Sequence, residues 1–141
     1  MVDIPPSVAE LLQEVAWAVR RAAKDTYASL GVTMAQMRTL RTLDRIGEPV
    51  RMGDLADRLH IVPRSATSVV DDLEAAGLVA RHVDPADRRA SLVGLTDAGR
   101  RLLDDARQLR AAANEQFVAR LSVKDQADLR RLLTQLTDPP S

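Results

Sequence analysis

The runs MGDLADRLH (52–60), PRSATSVVDDLEAAGLV (63–79) and RHVDPADRRASLVGLTDAGR (81–100) decide how this chain folds. The first two carry apolar residues at helical spacing: Leu55, Ala56 and Leu59 in one, Val69, Val70, Leu73 and Ala76 in the other. Pro63 suits a first helical turn, and Gly77 a helix terminator. Beyond Gly77 the period shortens. Residues 78–83 and 91–95 read as strands separated by Asp84-Pro85-Ala86-Asp87, and Asp before Pro favours a type I turn. Two short helices, a hairpin tipped with arginines and a return strand closing on Leu95-Thr96 outline a winged helix-turn-helix.

On the N-terminal side, Pro5-Pro6-Ser7 signals a helix start. Val8, Leu11, Leu12, Val15, Val19, Ala22 and Ala23 form a stripe that runs on to Leu30 and stops at Gly31. Thr33 and Gln36 make a capping-box pattern for a second helix, whose apolar face is Met34, Met37, Leu40, Leu43 and Ile46, closed by Gly47. On the C-terminal side Thr96-Asp97 caps a long fifth helix with Leu102, Leu103, Ala106, Leu109, Ala113 and Phe117 on one face. Ser122 and Asp125 then open a last helix carrying Leu129, Leu132, Leu133 and Leu136. The predicted order is α-α-α-α-β-β-α-α, mostly helical with one small β-hairpin. It makes one domain over 1–141, with a DNA-binding lobe at 34–100 and a helical dimerisation region at 7–30 and 101–137. The Pro139-Pro140-Ser141 tail reads as loose.

Composition narrows the classes. At 45% hydrophobic and 28% charged, 141 residues suffice to bury a core. Cysteine is absent, which removes disulfides, thiol catalysis and thiolate metal sites, and fits a reducing compartment. No apolar run nears the roughly 20 residues of a membrane span, and MVDIPPSVAELLQEV (1–15) lacks the pattern of a secretory leader. A bacterial cytoplasmic protein is expected, nucleoid-associated when bound to DNA. The formal net charge is zero, so a nucleic-acid function must rest on where the basic groups lie. All but Lys24 and Lys124 are arginines, whose planar fork suits phosphates and guanine edges, although codon usage alone explains such a bias.

Placement is the better argument. The helix opening at Pro63 has Arg64, Ser65, Ala66, Thr67 and Ser68 in its first turns. A helix entering a major groove needs such a slim start, and its positive dipole end favours phosphate. An ordinary solvated helix start has the same composition; the neighbouring short helix and hairpin favour the recognition reading. Asp87-Arg88-Arg89 puts two guanidiniums on the projecting loop, suited to a narrow, negative minor groove, with an acid beside them to brace a side chain. Charges on a turn also serve solubility.

Asp87-x-Arg89, Leu95-Thr96 six residues on, and Gly99 in the next helix resemble the wing signature of MarR-type transcriptional regulators. Leu73, Glu74, Gly77, Leu78 and Val79 resemble the end of that family's recognition helix, and the helix order is similar from about residue 7 to 137. The resemblance implies that Arg89 enters the minor groove, that Asp87 braces it, and that Arg88 contacts phosphate. It places Pro63, Arg64, Ser65, Thr67 and Ser68 on the recognition helix. Many relatives carry Arg or Lys where Ser68 stands, which implies weaker phosphate anchoring there. The family also implies a homodimer built on the first, fifth and sixth helices. The apolar faces of the terminal segments, more than one small lobe can cover, support this independently. Two-fold symmetry matches a pseudopalindromic double-stranded operator with half-sites about one helical turn apart.

Family members commonly bind small aromatic or anionic effectors near the junction of dimer helices and lobe. Here Trp17, Tyr27 and His60 are candidates to line such a pocket, with Arg20 or Arg41 pairing an anion; each also reads as ordinary core or surface. One Trp, one Tyr and one Phe provision an aromatic cage poorly. His60 and His82 lack the spacing of a zinc pair, so no metal and no cofactor is expected. No nucleophile–base pair or phosphate-cradling glycine loop suggests an enzyme. The leading expectation is a sequence-specific DNA-binding regulator, a repressor relieved by a small ligand. The alternative is a winged-helix protein-interaction module without DNA binding, which the acidic run Asp71, Asp72 and Glu74 would suit.

Overall fold

The computed structural model describes residues 4–137. The elements are α1 (Val8–Ser29), α2 (Met34–Ile46), β1 (Val50–Arg51), α3 (Met52–Leu59), α4 (Pro63–Ala75), β2 (Val79–Asp84), β3 (Asp87–Leu95), α5 (Asp97–Val118) and α6 (Val123–Thr137). The expected tail at 139–141 lies outside the described residues.

Local chemistry sets the helix ends. Ser7 and Thr33 each close a reciprocal capping box, with Glu10 and with Gln36. Thr96 Oγ1 accepts the Gly99 N–H at 3.1 Å and donates to the Gly77 carbonyl at 2.6 Å, so one hydroxyl both caps α5 and ties it to the end of α4. Gly77 (φ 75°) lets the chain leave α4 through a Schellman turn: its N–H reaches the Glu74 carbonyl, the Leu78 N–H reaches that of Leu73, and Leu78 is buried. Gly99 is required for a different reason. A Cβ built there would lie 2.2 Å from the Leu78 carbonyl oxygen, so α5 starts flush against the backbone behind the recognition helix.

Two expectations need correction. The sheet has three strands, in order β1-β3-β2, because Val50 and Arg51 pair antiparallel with Val93 and Leu92. Two residues after a proline are too few to print a period, so sequence reading passed over them. The hairpin is also longer than expected, and its turn is only Pro85-Ala86. Asp87, Arg88 and Arg89 belong to the start of β3 and not to the tip. The Asp84–Asp87 pair draws the strand up to the turn although Asp87, Arg88 and Arg89 are exposed, and hydropathy alone does not assign such positions.

One core joins the parts. Leu40, Leu55, Val70 and Val93 are fully buried at its centre, and Tyr27 of α1 with Leu103 and Ala106 of α5 pack into the same cluster. Met34 and Ala76, expected inward, are exposed, while Ala66 is buried. Thr39 and Thr42, also buried, donate their hydroxyls to the Ala35 and Arg38 carbonyls one turn back, which satisfies them without a tertiary partner.

Candidate nucleic-acid interface

Two features of α4 suit its start to entering a groove. Ala66, Val70 and Leu73 anchor one face in the core. Pro63, Arg64, Ser65, Thr67 and Ser68 are all exposed around the first two turns. Val62 at the N-cap supplies no side-chain bond to the helix start, and the first turn holds no acid. The positive end of the helix dipole is thus open to an incoming anion. Thr67 turns its hydroxyl back to the Pro63 carbonyl at 3.0 Å and offers its methyl outward.

The wing lies alongside. Val83 pairs with Ser91, but the next residue, Asp84, pairs with Asp87, so Arg88, Arg89 and Ala90 bulge out of the ladder. Arg88 and Arg89, within this bulge, are both exposed. Asp87 Oδ1 accepts the Arg89 backbone N–H at 3.0 Å. The expected brace between the Asp87 carboxylate and the Arg89 guanidinium is therefore replaced by a brace on the Arg89 backbone. An acid two residues before an amide closes this short ring more readily than it reaches a long side chain. Among the described residues Arg64, Arg88 and Arg89 enter no ion pair, so their guanidiniums stay available.

Sequence reading missed three ion pairs that frame these elements. Arg81 of β2 reaches Asp71 (2.6 Å) and Glu74 (3.3 Å) of α4, tying wing to recognition helix. Two of the three acids that would suit a protein-docking surface are thereby engaged within the fold. The bond to Asp71 holds the Arg81 guanidinium above its already high ordinary range. Arg51 reaches Asp84 through Nε (2.8 Å) and Nη2 (2.6 Å). The Ala86 amide, and then Arg51, hold the Asp84 carboxyl below the usual carboxylate range. Each joins residues of two different elements, so each needed the fold to be visible.

The five effector-pocket residues do not converge. Tyr27 is buried, and Arg41 both donates to its hydroxyl and lies over its ring, 5.3 Å from the centroid. These two line a cleft of about 750 Å³ between α2 and α5, together with Arg38, Arg45, Arg107 and Arg110. Arg38, Arg41 and Arg45 repeat at helical spacing, and that stripe was the missed signal. Trp17 sits ten residues before Tyr27, about 15 Å along α1. It is exposed in a separate depression with Phe117 and Arg120, under the Arg21 guanidinium. Arg20 is exposed on α1 and lines neither hollow. His60, at φ 54° after α3, edges a shallow depression with Thr42 and Arg58. Rise along α1 and the turn after α3 keep these side chains apart.

Comparison with known proteins places this geometry in a family. A model described as MarR family matches residues 30–90. The HTH-type transcriptional repressor Rv2887 of Mycobacterium tuberculosis is 29% identical over 126 residues, covering 89% of this chain and 90% of that protein. An HTH-type transcriptional regulator of Bacillus subtilis, YxaD, is 32% identical over 97 residues, covering 69% of this chain and 67% of its own. Among solved structures, a Staphylococcus aureus MepR mutant bound to an oligodeoxyribonucleotide superposes with a TM-score of 0.82 at 22% identity, over 94% of this chain and 96% of that one. The transcriptional regulator Tm0710 of Thermotoga maritima superposes with a TM-score of 0.72 at 28% identity, over 89% of this chain and 88% of that one.

Proposed function

The chain belongs to the MarR family and is a DNA-binding transcriptional regulator, and from that premise we propose that it grips a pseudopalindromic operator as a homodimer. In this reading α4 enters the major groove with Arg64, Ser65, Thr67 and Ser68 toward the bases, while Arg88 and Arg89 reach the phosphates and minor groove beside it. The observation that carries the reading is the juxtaposition of an uncapped, slim helix start with a bulged strand presenting two unpaired guanidiniums. Helix start and cationic bulge supply the two kinds of contact that duplex recognition needs, base edges and phosphate charge. Relatives named as repressors favour repression, acting in the cytoplasm and on the nucleoid when bound.

We further propose that a small anionic effector, aromatic or not, relieves repression from the arginine cleft. Five arginines face one acid, Asp44, along its wall, which favours a carboxylate or phosphate. Arg107 already joins Asp44 at 2.6 Å across the cleft, so an anion there competes with a bond between α5 and α2. Selection of bound fragments from a genomic library tests the DNA reading. Enrichment of fragments sharing an inverted repeat is expected; enrichment of none, even in dilute salt, overturns it.

A further inference from the structure

Residue Arg51 occupies the boundary between two elements. It ends β1, pairs with Leu92 of β3, and is the N-cap residue of α3. Its side chain extends past β3 to the far edge of the sheet and meets Asp84, the last residue of β2. Asp84 is 9% exposed at its side chain although the wing around it is solvated. Both its oxygens are occupied: Oδ2 accepts Nε and Nη2 of Arg51, and Oδ1 accepts the Ala86 N–H in the turn. The ladder itself is interrupted here: Asp84 still pairs with Asp87, but Arg88, Arg89 and Ala90 are out of register between that pair and Val83–Ser91.

A two-stranded ribbon twists readily along its length, so the direction of its far end is poorly fixed by its own ladder. Here one guanidinium fork ties that end to the start of α3, and α3 packs on α4. We propose that Arg51 and Asp84 are positioning residues for DNA binding, fixing the wing's angle to the recognition helix so that Arg88 and Arg89 meet the duplex while α4 is seated. The inference rests on the wing contacting DNA. Because the Arg51 side chain is half-exposed and screened by solvent, the pair adds only modestly to global stability. Its effect is on geometry, and a one-oxygen, two-nitrogen bond is the kind that lysine cannot reproduce.

A double-mutant cycle tests this, using a duplex that the wild-type chain selects from a random pool and following affinity by fluorescence anisotropy. Arg89→Ala alone tests the wing: unchanged affinity sinks the wing reading itself. Given that loss, Asp84→Asn and Arg51→Gln are each expected to weaken binding about tenfold in the wild-type background and less than about twofold in the Arg89→Ala background. Arg51→Lys is expected to behave like Arg51→Gln, since charge without the fork does not aim the wing. Circular dichroism melting of each variant, expected to show one cooperative transition well above the assay temperature, separates misdirection from unfolding. The proposal is overturned if the losses are the same in both backgrounds. It is equally overturned if Asp84→Asn binds normally while Arg51→Lys rescues Arg51→Gln, which would make Arg51 a direct phosphate contact.

Discussion

Arg64 and Arg89 carry the same charge and are expected to fail differently when removed. A wing arginine in the minor groove acts mainly on phosphate charge, so Arg89→Ala should weaken every duplex by about tenfold and reduce the salt slope by about one. In the proposed complex Arg64 faces base edges at the start of α4, and Arg64→Ala should relax preference at one base pair, by about 1–3 kcal/mol. Binding isotherms over a salt series, with matched and single-mismatch duplexes, distinguish the two. Gly99 is expected to tolerate nothing larger, since its added methyl would meet a backbone carbonyl. Gly99→Ala should cost about 1–3 kcal/mol in urea unfolding, and an unchanged midpoint would refute the close approach. The Asp84 carboxyl ionises more readily in the folded chain than in the unfolded one. Its contribution is therefore present at neutral pH and lost as pH falls through the acidic range. Melting midpoints of wild type and Asp84→Asn should converge on acidification; parallel curves would contradict this.

At the scale of elements, legibility followed the strength of the local signal. The capping pair Thr33 and Gln36, the terminators Gly47 and Gly77, and the Thr96 cap could be read directly because each acts within a few residues. The strand of Val50 and Arg51 could not be read, since its only reason to exist is β3, more than forty residues on. The same holds for the wing's long strand: Arg88 and Arg89 look like turn residues by composition, and a bulge keeps them on β3. Pairings such as Arg107 with Asp44 and Arg81 with Asp71 span 63 and 10 residues, where no periodicity carries information. The scatter of the expected pocket residues has a related cause. Tyr27 and Arg41 share the cleft, but the arginine stripe of α2 acquires meaning only opposite Arg107 and Arg110 of α5. An aromatic carboxylate or inorganic phosphate seated in that cleft should raise the melting midpoint and lower duplex affinity. Substituting Arg41→Ala together with Arg110→Ala should abolish both effects, and a response that survives the pair would place the effector elsewhere.

Over the whole molecule, the terminal helices are the unfinished part of a single chain. Helix α6 buries no residue, and Leu129, Leu132, Leu133 and Leu136 are exposed along it. Val8, Leu11 and Val15 of α1 are likewise open, as is Leu109 of α5. Apolar faces of this extent on three helices are covered in the proposed homodimer by the same faces of a second copy, which sets the distance between two recognition helices. Because α6 adds nothing to the core, Leu132→Asp with Leu136→Asp should leave the lobe folded while shifting sedimentation equilibrium from dimer to monomer. The most direct measurement is the hydroxyl-radical footprint of the full chain on its selected duplex, with binding stoichiometry determined on the same complex. Two chains per duplex and two symmetric protected patches, their centres about one helical turn apart, are predicted. A single chain guarding a single patch would contradict the account.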